Sequence, residues 1–212
     1  MALVALALAL ACGGGSESVP HAMDPSPGQR VAERLRLHGV AFDEPLPKPD
    51  FVLRDTSGRP YDFRAETDGK LTLLFFGYTS CPDICPVHLA NLGAVFERLS
   101  AEERRQVEVV FVGVDPPRDT PERMRAWLDH FDPAFVGLTG TPEELEAAQR
   151  AAAVPPAFVE SEFEGGYSVG HAAWVLLYTP DNQGRLRYPF GVRQSEWDHD
   201  LTTLLREGWP EA

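Results

Sequence analysis

Apolar positions along this chain fall into two rhythms, short continuous runs and longer stripes at helical spacing. The runs "KLTLLFFGY" (Lys70 to Tyr78) and "VEVVFVGVDP" (Val107 to Pro116) are nearly unbroken, as expected of strands buried on both faces. "FVGLTG" (Phe135 to Gly140) predicts a shorter third strand. Between them, Leu89, Leu92, Val95, Phe96 and Leu99 recur at helical spacing in "PVHLANLGAVFERLS", with Ser100 and the acids after it read as the end of that helix. Two further helices open alike, on Thr120-Pro121-Glu122 and on Thr141-Pro142-Glu143, each a threonine cap followed by a proline in the first helical position.

Toward the ends the rhythm shortens. "DFVLRDTSGRPYDF" (Asp50 to Phe63) reads as two strands about a turn at Ser57-Gly58, and "AAWVLLYTPDNQGRLRYPFG" (Ala172 to Gly191) as a hairpin turning at Asp181 to Gly184. "SEWDHDLTTLLREG" predicts a closing helix capped by Ser195. Val154 to Gly170 shows no clear period and is expected to be irregular. The order β-α-β-α-β-α-β-β-α describes one α/β domain, a central mixed sheet flanked by helices, with the 50–63 hairpin as an N-terminal extension. That domain is expected to span 49–212. Residues 13–48, rich in Gly, Ser and Pro, read as a flexible tether carrying a short helix near Arg30 to Val40.

Composition narrows the function more than the fold. Apolar residues make up 43% of the 212, enough for a core, and the net charge is −13 with no Lys/Arg cluster. Without a basic stripe there is no nucleic-acid groove to propose. No exposed apolar helix face stands out, so a monomer is expected. The opening "MALVALALALAC" is apolar and uncharged but too short for a spanning helix, which needs about 20 residues. It resembles a bacterial lipoprotein signal (residues 1–12) ending at Cys12, the residue that would carry lipid, with "GGGSES" as the start of the tether. A plain cleaved signal is the alternative. Either places the chain in the cell envelope, on the periplasmic face of the cytoplasmic membrane and, if lipidated, anchored there.

Export makes the other two cysteines more informative. Cys81 and Cys85 sit in "GYTSCPDICPVHLANL", where a central strand ends and a helix begins. A helix N-terminus lowers a thiol's pKa, and the thiolate is the form that attacks disulfides and binds metals. A disulfide across so short a loop would contribute little stability, so a staple is the weaker reading. A soft ion such as Cu(I) accepts two thiolates with one more ligand, whereas zinc usually takes four. Of six histidines, His21 and His38 fall in the tether, His130 and His199 in other helices, and His88 one turn beyond Cys85. His171 precedes "AAWVLLYT". If that strand lies antiparallel beside "LTLLFF", the loop entering it reaches the end of the sheet that carries the cysteines. A lone histidine before a strand is, on spacing alone, more often an ordinary surface or capping residue.

The segments "FFGYTSCPDICPVHLANL", "VGVDPPRDTPERMRAWLDHF" and "YSVGHAAWVLLYTPDNQG" together resemble the Sco/SenC family, thioredoxin-fold copper chaperones of cytochrome c oxidase assembly. The likeness runs in matching order from about Pro49 to the C-terminus. It implies a thioredoxin-like fold and one copper ion per chain, as Cu(I) or Cu(II), held by Cys81, Cys85 and His171. It also implies delivery to the CuA centre of cytochrome c oxidase subunit II, and a membrane tether at the N-terminus. A periplasmic copper chaperone or a thiol reductant is a further implied partner. Asp115 and Asp119 match the family's acidic positions and are candidates for shaping the site, with turn-forming and helix-capping as the plainer roles. Gly170 stands where the family commonly has an acid and Ala172 where serine is frequent, which predicts a less firmly oriented imidazole.

The competing function is a thiol-disulfide oxidoreductase acting through a Cys81–Cys85 disulfide on the oxidase copper site or on other exported proteins. Thioredoxin-like reductases usually separate their cysteines by two residues and place a proline where this chain has "VGHAAW". That difference favours copper.

Overall fold

The computed structural model describes residues 24–210. The signal at 1–12, Cys12, His21 and the first part of the expected tether lie outside the described residues. The remainder of that tether departs from the expectation, because much of it is folded into the domain. Helix α1 (Pro27–Leu35) starts on a Ser26 cap whose hydroxyl accepts the Gln29 N–H, with the Gln29 side chain accepting in return from the Ser26 N–H. That reciprocal cap with proline in the first position sets the start earlier than Arg30. Strand β1 (Val40–Pro47) then pairs antiparallel with a strand near the C-terminus. Its prolines are tolerated because it is an edge strand, where a missing donor faces no partner.

Strands β2 (Val52–Asp55) and β3 (Pro60–Asp62) form the expected hairpin, with Gly58 at φ +81° in its turn, and the short α2 (Phe63–Glu66) follows. The central strand β4 (Leu71–Gly77) is buried throughout. After it come α3 (Ile84–Phe96), α4 (Ala101–Arg105), β5 (Val107–Gly113), α5 (Pro121–Leu128), β6 (Val136–Thr139) and α6 (Pro142–Ala151). The chain then forms β7 (Phe158–Phe163), β8 (Gly166–Gly170), β9 (Trp174–Thr179), β10 (Gln183–Pro189) and the closing helix α7 (Gln194–Glu207).

Eight strands make one mixed sheet in the order β1-β10-β9-β4-β5-β6-β2-β3. The β4-β5-β6 part is parallel and helix-connected, and β9, β10 and β1 extend it antiparallel. Each face has its own core. On one, Leu73, Phe75 and Val109 pack with Leu89, Leu92, Trp197 and Leu201 of α3 and α7. On the other, Leu74, Phe76 and Val110 pack with Phe63, Leu145 and Ala148. Burial on both sides explains why the central runs show no alternation.

Three local expectations are corrected. Ser100 does not close the preceding helix but caps α4, accepting the Glu103 N–H while Glu103 accepts its own. Arg193, not Ser195, stands at the head of α7, where the Glu196 carboxylate reaches back to the Arg193 N–H at 2.8 Å. Residues 154–170 include a two-stranded hairpin, β7–β8, lying outside the main sheet. Every position of β7 is exposed, so no apolar alternation marks it as a strand.

Candidate metal centre

The cysteine turn is held where β4 gives way to α3. Asp83 caps the helix, its carboxylate accepting the Ile84 N–H at 2.7 Å, and helix begins at Ile84, so Pro86 sits in the first turn where its missing N–H costs nothing. Cys85 therefore stands in that turn with a free backbone N–H, which points at the Cys81 sulfur 3.4 Å away. Its own sulfur lies against the end of β4. A Cβ added to Gly77 would come within 2.7 Å of the Cys85 Sγ and 2.9 Å of the Phe111 ring, so only glycine fits beneath the thiol.

Cys81 and Cys85 are both free thiols and are electrostatically unequal. The Cys81 thiol is pulled down to about 4. The hydrogen bond from the Cys85 side chain is the largest cause; burial opposes it, while His171 and the backbone N–H groups of Cys85 and Asp83 add to it. Cys85 goes the other way, pushed well above the ordinary thiol range by burial first and then by its neighbour Cys81. The pair thus loses its first proton from Cys81 and holds the second on Cys85.

His171 arrives from across the sheet. Strand β9 runs antiparallel to β4 with Leu74 opposite Leu176, so the chain just before Trp174 passes the cysteine turn. The His171 Nε2 lies 3.6 Å from the Cys85 Sγ. Its Nδ1 faces the carbonyl oxygens of Phe76 at 2.9 Å and Ala172 at 3.0 Å. Carbonyls only accept, so Nδ1 holds its proton toward them, and Nε2 is the nitrogen turned to the sulfurs. Tyr78 and Phe75 pack edge-on against the ring. The looser imidazole expected from Gly170 and Ala172 is not what the structure has, because backbone carbonyls do the orienting. At Gly170 itself the exposed Phe158 ring lies over the backbone, where a Cβ would meet its tip at 2.6 Å and push it aside.

Asp115 and Asp119 are buried and act at one remove. Asp119 accepts the Thr79 N–H at 2.8 Å and hydroxyl at 2.7 Å, pinning the cysteine turn, and its other oxygen accepts the Asp115 N–H. Burial raises the Asp119 carboxyl above its ordinary value, against those three donors, which lower it. Asp115 accepts the Tyr167 hydroxyl at 2.7 Å and pairs with Arg118. Helix α5 is capped by Thr120, so neither acid has that role. Sequence reasoning missed Arg118, Arg123 and Tyr167. The Arg118 guanidinium lies 3.7 Å over the Tyr167 ring and donates to its carbonyl, while Arg123 donates to Thr79 and Ser80. These ties bind the β7–β8 hairpin and the cysteine turn to the loop before α5. The only sequence signal for them was the charge density of "DPPRDTPER".

Among the described residues, one sulfur from each cysteine and a His171 nitrogen all lie within 4.8 Å of one another. Two thiolates and one imidazole suit a soft ion at low coordination. The other described histidines do not join them. His88 is buried beneath the turn against Phe75 and Trp197, with Nε2 facing the Ala173 carbonyl at 3.4 Å, and burial lowers its pKa. His130 is exposed on a distant helix end, and His38 lies beside His199 near α7.

The chain is similar to known proteins over most of its described length. The SCO1/SenC family model matches residues 43–206. A protein of Stutzerimonas stutzeri is 40% identical over 145 residues, 66% of this chain and 69% of that protein. The structure of Bradyrhizobium japonicum ScoI with copper bound superposes with TM-score 0.65 at 32% identity, covering 74% of this chain and 98% of that one. Apo Sco1 from Thermus thermophilus gives TM-score 0.70 at 33% identity, covering 79% and 96%. The chain spans between 34% and 69% of the length of the curated relatives it matches. With a match that begins in edge strand β1, takes in both cysteines and His171 and ends in α7, this chain belongs to the SCO1/SenC family.

Proposed function

We propose that this protein is a copper metallochaperone that holds one copper ion with Cys81, Cys85 and His171 and delivers it to the CuA centre of cytochrome c oxidase subunit II. The observation that carries the reading is the convergence of these three donors at one end of β4, although His171 stands 86 positions beyond Cys85. Support comes from the copper-bound state of the Bradyrhizobium relative. Cys81 offers a ready thiolate, Cys85 gives up its proton on metal binding, and His171 presents an oriented lone pair. Three ligands leave copper open to an incoming donor, so release proceeds by ligand exchange. Lipid on Cys12, following the signal at 1–12, would anchor the domain on the extracytoplasmic face of the membrane. No helix among the described residues is long and apolar enough to cross it.

The test is competition titration of the reduced chain with Cu(I), beside His171→Ala. One tightly bound ion, weakened at least about tenfold by the substitution, is the expected result. Unchanged affinity would remove His171 from the site and the proposal with it.

The unequal thiols favour a second reading, thiol-disulfide reduction of exported proteins. The Cys81 thiolate would attack a target disulfide and form a mixed disulfide. Cys85, losing its proton, would then attack the Cys81 sulfur, releasing the reduced target and leaving a Cys81–Cys85 disulfide for an external thiol reductant to restore. Loss of reductase activity in His171→Ala with copper affinity unchanged would put this reading first.

A further inference from the structure

A second group of ligating side chains lies away from the cysteine turn. His38, in the connection from α1 to β1, meets His199 and Asp200 of α7, and a donor atom from each lies within 4.8 Å of the others. Asp200 is wholly buried. Its Oδ2 accepts three donors, the N–H groups of His38 at 2.8 Å and Gly39 at 3.0 Å and the Tyr188 hydroxyl at 2.9 Å. That oxygen alone accounts for anchoring the turn. The other, Oδ1, faces the His38 Nδ1 at 2.8 Å. The two imidazoles cross edge-on with centroids 5.3 Å apart. His199 donates from Nε2 to the Leu35 carbonyl at 3.2 Å, which leaves its Nδ1 with a free lone pair in the neutral ring.

We propose that His38, His199 and Asp200 form a second metal site, for one borderline divalent ion of the Zn(II), Ni(II) or Cu(II) class. Two imidazoles and a carboxylate without thiolate are the donor set such ions accept. The His38 Nδ1 and the Asp200 Oδ1 stand 2.8 Å apart as a hydrogen-bonded pair, and a modest outward turn of His38 brings them to the separation of about 3.3 Å expected of neighbouring ligands around an ion bound at 2.0–2.1 Å. The ion takes the place of the proton between those atoms, which leaves to solvent. The His199 donor lies within 4.8 Å of the other two, and the His38 side chain, 40% exposed, has the freedom to adjust toward it and gives the ion its entry. Asp200 cannot swing away, because its other oxygen is held by three donors, and such outer hydrogen bonds are what fix a ligand's orientation. A bound ion would clip the α1–β1 connection onto α7 and stabilise the folded chain by mass action. The inference is independent of the copper reading, since it shares no residue with it.

The test uses the full, untagged chain carrying Cys12→Ser, Cys81→Ser and Cys85→Ser, which removes all thiols, titrated with Zn(II) alone by calorimetry and thermal unfolding. One zinc per chain and a raised unfolding midpoint are expected. Adding His38→Ala or His199→Ala should weaken binding at least about tenfold and cancel the rise in midpoint, while His130→Ala should change neither. Ring-nitrogen NMR of the wild-type chain provides a measurement that needs no substitution, with the His38 and His199 signals shifting as zinc is added. Absence of zinc binding, binding that survives both alanine variants, or ring signals that stay put would overturn the proposal.

Discussion

The two histidine-containing clusters are built from the same devices and differ in their donors. Each pairs side chains from one end of the chain's order with side chains far along it, and each depends on a glycine at a point of close approach. Gly77 makes room for the Cys85 sulfur, and Gly39, where a Cβ would fall 2.7 Å from the Tyr188 ring, lets that ring reach Asp200. Around Cys81 and Cys85 the wall is apolar and the ligands are sulfur. Around Asp200 the surroundings are backbone N–H groups and a hydroxyl. The first arrangement favours a soft, low-coordinate ion and the second a borderline divalent one, although the histidine is common to both. Ion choice in this fold follows from what accompanies the imidazole.

Cys85→Ser should lower Cu(I) affinity by more than the roughly 10–100-fold typical of losing a group that only orients a ligand. Zinc uptake at the Asp200 cluster should be untouched by it, as parallel titrations would read. Asp119→Asn frees the Thr79 end of the turn and should fall within that 10–100-fold range for copper, again without effect on zinc. Gly77→Ala forces a methyl group against Cys85 and Phe111 and should destabilise the fold by about 1–3 kcal/mol, measured by denaturant unfolding. Tyr188→Phe removes one of the three donors to the Asp200 Oδ2 and should cost about 1 kcal/mol by the same measurement.

Proton counting sharpens the contrast further. Near neutral pH Cys81 is already ionised and Cys85 is not, so Cu(I) uptake should release about one proton from the sulfur pair. Below about pH 4 it should release two, and affinity should fall more steeply with acid. In the apo chain, alkylation of Cys81 should stay flat from neutral pH down to about 5 and then fall. Because its folded value is depressed, Cys81 contributes stability that is present above the unfolded thiol range and is lost as pH falls toward 4. A thiol titrating near its ordinary value would contradict all three expectations.

Much of the fold was legible because its signals are local. The apolar runs at 71–77 and 107–113 and the Thr-Pro-Glu starts at 120 and 141 each announce an element within a few residues. Strand β1 and the β7–β8 hairpin were not legible, for opposite reasons. The first is an edge strand with prolines, held by pairing to β10, and the second exposes its whole first strand. Ser26-Pro27 with Gln29 was a readable helix start that compositional bias toward Gly, Ser and Pro obscured. At the site, the cysteine turn could be read directly, and His171 only through the inferred order of strands.

By itself, then, the chain's order of residues determined the strand-to-helix turn with its two cysteines, the threonine caps of α5 and α6, the buried central strands and the family likeness, since each depends on neighbours a few positions apart. The tertiary structure alone decided which His171 nitrogen faces the sulfurs, which thiol ionises first and that Asp200 meets His38 across 162 positions. The first and last depend on groups delivered by distant strands and helices, the thiol order depends on burial and on the exact folding of the turn around Cys81, and no local pattern encodes where such groups will point.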